Sequence, residues 1–223
     1  MERFTSIFTL FALLISFSLA QAQGLSIGLR TGATYYILHN EEISEEAKYS
    51  MGVNVAIPVE ISLSPIFSIQ PELHFIQKGV QFKDVLDGQV QTIDVKTNYL
   101  ELPLLFKASF GGERLGFYTF AGPSIGYATN RFVSEKLGRQ DRVREEVDFI
   151  EGETASSRRW DISATVGLGG RIEADVGSLV LDVRYSLGFS DNTQFTDDKP
   201  ENWNKTTNRG CTVSVGYMLP IGL

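Results

Sequence analysis

The chain has 223 residues, 43% of them apolar and 11% aromatic, with a formal net charge of −7 and a single cysteine. An acidic balance, with no lysine- and arginine-rich run free of nearby acids, argues against a nucleic-acid partner. Cys211 cannot form an internal disulfide, so an exported chain of this kind must be held by something other than crosslinks, and closure of a sheet would serve.

The first element is MERFTSIFTLFALLISFSLAQAQ, with a charged start at Arg3, an apolar run from Ile7 to Ala20 and the small-x-small sequence Ala20-Gln21-Ala22. It reads as a cleaved secretory signal peptide, residues 1–22, too short in its apolar run for a membrane-spanning helix. No cysteine follows the cleavage site to carry a lipid anchor. The remainder, 23–223, is about 200 residues long and suits one all-β domain.

Eight segments of period two follow. The first, about Leu25 to Ile37, sets Leu25, Ile27, Leu29, Ala33 and Tyr35 against Ser26, Gly28, Arg30, Gly32 and Thr34. The second, Met51 to Leu63, sets Val53, Val55, Ile57, Val59 and Ile61 against Asn54, Ala56, Pro58, Glu60 and Ser62. In the third, Phe67 to Gly79, Ile69, Leu73 and Phe75 oppose Gln70, Glu72, His74 and Lys78; in the fourth, Tyr99 to Phe110, Leu100, Leu102, Leu104 and Phe106 oppose Glu101 and Lys107. The fifth, Leu115 to Tyr127, carries aromatics on both faces, and hairpin register carried across Gly111-Gly112 puts Phe117, Ala121, Ile125 and Tyr127 on the apolar side. The sixth, Trp160 to Val176, sets Trp160, Ile162, Val166, Leu168 and Ile172 against Asp161, Ser163, Thr165, Arg171 and Glu173. The seventh, LVLDVRYSLGF, sets Leu181, Val183, Tyr185 and Leu187 against Asp182, Arg184 and Ser186, and the eighth, Cys211 to Ile221, sets Val213, Val215, Tyr217 and Leu219 against Thr212, Ser214 and Gly216.

Connections after the first, third, fifth and seventh segments are long and polar; those at Ser64-Pro65, Gly111-Gly112 and Gly177-Ser178 are tight. Even strand number, strands long enough to cross a bilayer, and loops sorted by length to opposite ends predict an eight-stranded antiparallel up-and-down transmembrane β-barrel of the outer-membrane type. The apolar faces then meet lipid. Tyr35, Tyr127, Trp160 and Phe189 are expected at the long-loop interface, with Tyr217, Phe110 and Phe117 near the other.

The polar faces then line a narrow interior, where Arg30, Glu60, Glu72, Glu101, Lys107, Arg171, Glu173, Asp182 and Arg184 are expected to close the barrel by pairing. A two-residue turn at Gly177-Ser178 would set Glu173 opposite Asp182 and Arg171 opposite Arg184, with favourable diagonals.

The stretches GLRTGATYY, QPELHFIQKGV, NYLELPLLFK, FAGPSIGY, VGLGGRIE and LDVRYSLGF, in that order, resemble the outer-membrane β-barrel family of Bacteroidota that includes PorT-like proteins. The resemblance covers nearly the whole mature chain and implies an outer-membrane location, with outer-membrane lipid and, during insertion, the barrel-assembly machinery as partners. The family's best-known member is an accessory factor of type IX protein secretion, and most relatives have no assigned activity. One departure is YMLPIGL, which finishes at Leu223 where many barrel proteins finish with an aromatic residue read by the insertion machinery.

No catalytic, cofactor or metal site emerges. His74 is expected inside between Glu72 and Lys78 as a satisfied polar group, and His39 opens the first long loop without a serine placed beside it. SDNTQFTDDKPEN, with Asp191, Asp197, Asp198 and Glu201, lacks calcium-loop spacing, and EEISEE at 41–46 is an exposed acidic run. GRQDRVREEVD is a balanced, solvated loop, and Cys211 an inert small residue. Glycines 167, 169 and 170 are expected to relieve curvature or admit bulky neighbours, and Pro71 and Pro103 to mark bulges. The expected role is structural or interactive at the cell surface, with Ala128 to Arg159 the loop best placed for a protein partner. Alternatives are support of type IX secretion, a soluble periplasmic lipocalin-like binder with an apolar cavity, and a small pore, which paired interior charges disfavour.

Overall fold

Strict alternation over more than ten residues leaves a strand one apolar and one polar face, and a ring of such strands can hide either face. The computed structural model describes residues 24–40, 47–86, 88–112, 114–138, 141–149, 155–195 and 203–221. Its strands are β1 (Gly24–His39), β2 (Ala47–Ser62), β3 (Phe67–Leu86), β4 (Gln89–Gly111), β5 (Leu115–Leu137), β6 (Val143–Val147), β7 (Ala155–Ser157), β8 (Trp160–Ala174), β9 (Gly177–Gly188), β10 (Thr193–Phe195) and β11 (Thr207–Ile221). The signal-peptide segment 1–22, the acidic run 41–46, and Asp197, Asp198 and Glu201 lie outside the described residues.

Eight strands, in the order β1, β2, β3, β4, β5, β8, β9, β11, pair antiparallel, and β11 returns to β1, so the sheet closes. From Arg30, the register traced one way runs through Ala56, His74, Glu101 and Gly126 to Asp161. Traced the other way it runs through Gly216 and Val180 to Arg171 on the same strand, a stagger of ten residues. That shear over eight strands sets a tilt of about 40° and a radius of about 8 Å, room for side chains but not for a channel.

The apolar faces point outward: Leu168 is 63% exposed and Leu181 55%, while Asp182 on the opposite face is 1% exposed. Strand β5 follows the same rule, with Phe117, Ile125 and Tyr127 outside and Tyr118 and Phe120 buried inside. Through the ring the enclosed face is the polar one, which gives an apolar-lined lipocalin-like interior no support.

Sequence expectations are corrected at three points: two long connections, the bulges and the β8–β9 turn. The third connection is not a loop: β3 and β4 continue as one hairpin from Val80↔Val95 to Leu86↔Gln89, with Gly88 at φ 76° in the turn. Likewise Ala128 to Leu137 is strand, paired with β4 and, over Arg131 to Glu135, with β6, so a sheet extension rises above the ring. Part of GRQDRVREEVD is therefore the exposed strand β6 rather than irregular loop.

The bulges lie elsewhere than expected. Register slips between Tyr49 and Asn54 and at Asn98/Tyr99, whereas pairing on either side of Pro71 and Pro103 keeps one register. A proline removes a single ladder donor, and the neighbouring pairs suffice to hold the strand in place. Third, the β8–β9 turn is Asp175-Val176, closed by the pair Ala174↔Gly177, with Gly177 at φ 96° just past it. Arg171 therefore faces Val180, Glu173 faces Ser178, and Asp182 and Arg184 face Gly169 and Gly167, so the expected checkerboard does not form.

Candidate functional site: the ion-paired interior and its mouth

Five cations, Arg30, Lys78, Lys107, Arg171 and Arg184, meet five carboxylates, Glu60, Glu72, Glu101, Asp161 and Asp182, in three tiers. In the middle tier Glu72, whose side chain is 0% exposed, accepts from Arg30 at 2.7 Å and from both terminal nitrogens of Arg184 at 2.8 and 2.9 Å. Asp182 accepts from Arg30, from Arg184 at 2.8 Å and from the Tyr118 hydroxyl. Two guanidiniums and two carboxylates thus form a neutral square, and planar forks shared between carboxylates are the geometry that makes such pairs strong.

Toward the short turns, Glu60 accepts from Lys107 at 2.9 Å and from Arg171, while Gln70 bridges Lys107 and Glu72. Glu173 departs from its expected place: its side chain is 44% exposed at the rim, 3.9 Å from Arg171. Toward the long loops, Lys78 lies between Glu101 and Asp161, and Asn208 donates to Asp161. Lys78 and Asp161 belong to the network although only their alternation, and no pairing rule, marked them in the sequence. His74 faces inward as expected but is not satisfied, since its Nε2 has no partner. The carboxylates beside it, Glu72 and Glu101, are already taken by charged donors.

The wall is built to admit this filling. A Cβ on Gly167 would stand 2.4 Å from the Phe120 ring, and one on Gly169 2.4 Å from the Tyr118 ring. Those rings, 6.1 Å apart, seat cations in turn: Lys107 Nζ lies 3.8 Å over Tyr118, and Arg184 4.8 Å over Phe120.

At the loop end, Tyr36, Ile76, Tyr99, Ala128 and Phe149 form a buried apolar plug above Lys78, whose ammonium sits 5.4 Å from the Tyr36 ring and 5.1 Å from Tyr99. Phe149 comes from the segment after β6 and is stacked by Arg131 and Arg159 at 4.8 and 4.4 Å. A cavity of about 260 Å³ remains beside it, lined by Lys78, Tyr99, Arg131 and Asn208 among others. Strands β7 and β10 pair across the mouth, and Asp191 anchors them through Trp203 at 2.7 Å.

The seven aromatics expected at the interfaces are all exposed on the outer wall. Tyr35 stacks on Tyr49 at 5.5 Å and Tyr127 meets Trp160 edge-on at 5.0 Å near the loop end, where Phe189 is also exposed. Tyr217 lies toward the turn end, its hydroxyl donating to the Val176 carbonyl. Cys211 is exposed on the same wall, opposite Tyr35. Among the described residues no group of three or more His, Cys, Asp or Glu is arranged to hold a metal.

The model of one family, described as outer membrane protein beta-barrel domain, matches residues 20–194. No curated protein matches the sequence. Similar solved structures include neisserial surface protein A, at 12% identity over 89% of this chain and 97% of that one, TM-score 0.47. They also include Ail of Yersinia pestis, at 12% identity over 88% and 99%, TM-score 0.43. A third is OprG of Pseudomonas aeruginosa, at 13% identity over 91% and 98%, TM-score 0.46.

Proposed function

We propose that this chain, which belongs to the outer membrane protein beta-barrel domain family, is a sealed, non-enzymatic scaffold that presents its loop-end sheet at the cell surface for interaction with a partner. The observation that carries this reading is the pairing of charge with closure. Among the described residues, ion pairs fill the interior and Phe149 joins a plug at its mouth, whereas β3 to β6 extend the sheet beyond the ring as an exposed surface. Buried, paired charges fix side chains in one arrangement, and a rigid support is what a recognition surface requires. Outer-membrane lipid surrounds the wall, and the barrel-assembly machinery inserts it.

Two measurements test this. An epitope inserted between Asp141 and Arg142, which are exposed, should be read by antibody on intact cells. The purified protein should give no steady conductance in planar bilayers; a steady ohmic current would replace the scaffold reading with a pore. Nothing in the geometry favours the narrower secretion-accessory role, which would require loss of surface-exported proteins on deletion of the gene.

A further inference from the structure

A second cavity, of about 300 Å³, opens on the outer wall where β1 ends and β11 begins, lined by His39, Asn204, Lys205, Thr207 and Arg209. Its position follows from register. Arg209 pairs with Ile37 on one side and Leu187 on the other, two residues beyond the outward-facing row of Tyr35, Cys211 and Tyr185, while Tyr36 and Gly210 face in. His39 is the next outward residue on β1, diagonal to Arg209. Arg209 stands ten residues along β11 from the lipid-facing Leu219. At about 3.3 Å per residue and a tilt of about 40°, that is about 25 Å up the wall, the height of an outer-membrane barrel's apolar band. The cavity therefore sits at headgroup level.

Among the described residues that line it, the charged side chains are all cationic. The ion pairs among the described residues do not use His39, Lys205 or Arg209. Two of the residues that line it, Thr207 and Arg209, each hold a buried polar atom without a hydrogen-bond partner, Oγ1 and Nε respectively. Two cations, Lys205 and Arg209, and the His39 imidazole border one open space. Cationic side chains grouped in this way suit a tetrahedral oxyanion.

We propose that this cavity binds a phosphate group carried on an outer-leaflet lipid, an inference that rests on the outer-membrane reading above. Lys205 and Arg209 supply the charge, Thr207 and His39 supply hydrogen-bond donors, and the acyl chains run down the wall over Ile37, Tyr35 and Leu187. Fixing an anionic lipid at this point would hold the barrel's depth and angle and so the pose of its loop-end sheet.

The test uses the mature protein folded in detergent and titrated in native mass spectrometry with bisphosphorylated hexa-acyl lipid A, the same lipid after phosphatase treatment, and inorganic phosphate. The phosphorylated lipid should bind, K205Q/R209Q should weaken it about tenfold or more, and the dephosphorylated lipid should bind wild type no better than it binds the variant. Equal binding of both lipids, or an unaffected variant, overturns the proposal; inorganic phosphate binding as tightly as the lipid overturns the lipid source. Lys205 is exposed, so K205Q alone leaves the wall intact and must also weaken binding. If the double variant fails to fold, an unchanged K205Q is decisive against the proposal. A retained gel-mobility shift on heating shows that each variant is folded, and its absence from wild type would instead sink the barrel reading itself.

Discussion

Replacing Glu72 with glutamine removes one charge from the neutral square and changes almost no volume. Glu72 accepts four hydrogen bonds, three from guanidiniums and one from Gln70 at 2.6 Å, with no solvent contact. In E72Q, Arg30 and Arg184 are left with Asp182 as the only carboxylate within reach, so one buried positive charge is uncompensated and an amide NH₂ is turned toward a guanidinium. Breaking a buried pair from one side costs about 3–5 kcal/mol, more than a hundredfold in the folding equilibrium. The companion variant E72L/R184M removes both partners and leaves Arg30 with Asp182; replacement of a whole pair by apolar groups of similar size is close to neutral, so it should recover most of the loss. Urea titration of the protein refolded in lipid vesicles, followed by tryptophan fluorescence and by gel mobility, measures both. An E72Q loss under about 1 kcal/mol, or a double variant as unstable as E72Q, would refute the reasoning that pairing, not mere filling, closes this barrel.

On the outer wall, L168R places a charge between the loop-end Trp160 and the turn-end Ala174 and should cost about 2–4 kcal/mol in the same titration if that face meets the hydrocarbon; no cost would mean it meets water. G169V drives a side chain into the Tyr118 ring and the Leu181 carbonyl, so a loss of about 1–3 kcal/mol is expected, and unchanged stability would show that the ring can move aside. F149A removes the aromatic held between Arg131 and Arg159, so amide exchange across 141–149 should quicken while the global urea midpoint stays in place. A shifted midpoint would show that the plug belongs to the folding unit of the barrel.

The fold was legible because its wall is two-faced along every strand. In LVLDVRYSLGF the outward Leu181 and Val183 and the inward Asp182 and Arg184 follow from parity alone, and parity survives an error in the turn. Cross-strand partners do not survive it. The sequence places the turn at Gly177-Ser178, yet the positive φ of Gly177 marks the residue just past the turn, and that offset moves every β8–β9 pair and exchanges charged opposites for Gly167 and Gly169. The extended third hairpin was visible in principle, since Asp87-Gly88 between alternating residues is a strong hairpin signal, but its polar composition masked it. Contacts across the lumen, such as Arg30 to Asp182 and Lys78 to Asp161, join strands far apart in sequence. They depend on shear, which no single stretch of sequence reveals. The cluster of His39, Lys205 and Arg209 was missed for the same reason, since it forms only where the last strand returns to the first.

The central claim is that the chain is a closed barrel with its apolar wall in the membrane. The most direct measurement is to extract the membrane fraction in detergent and compare boiled with unboiled samples by gel migration. The mature protein should be in that fraction and should migrate differently before and after boiling, because a ring of paired strands resists the detergent until heated. Recovery in the soluble periplasmic fraction, with no change in migration, would contradict it.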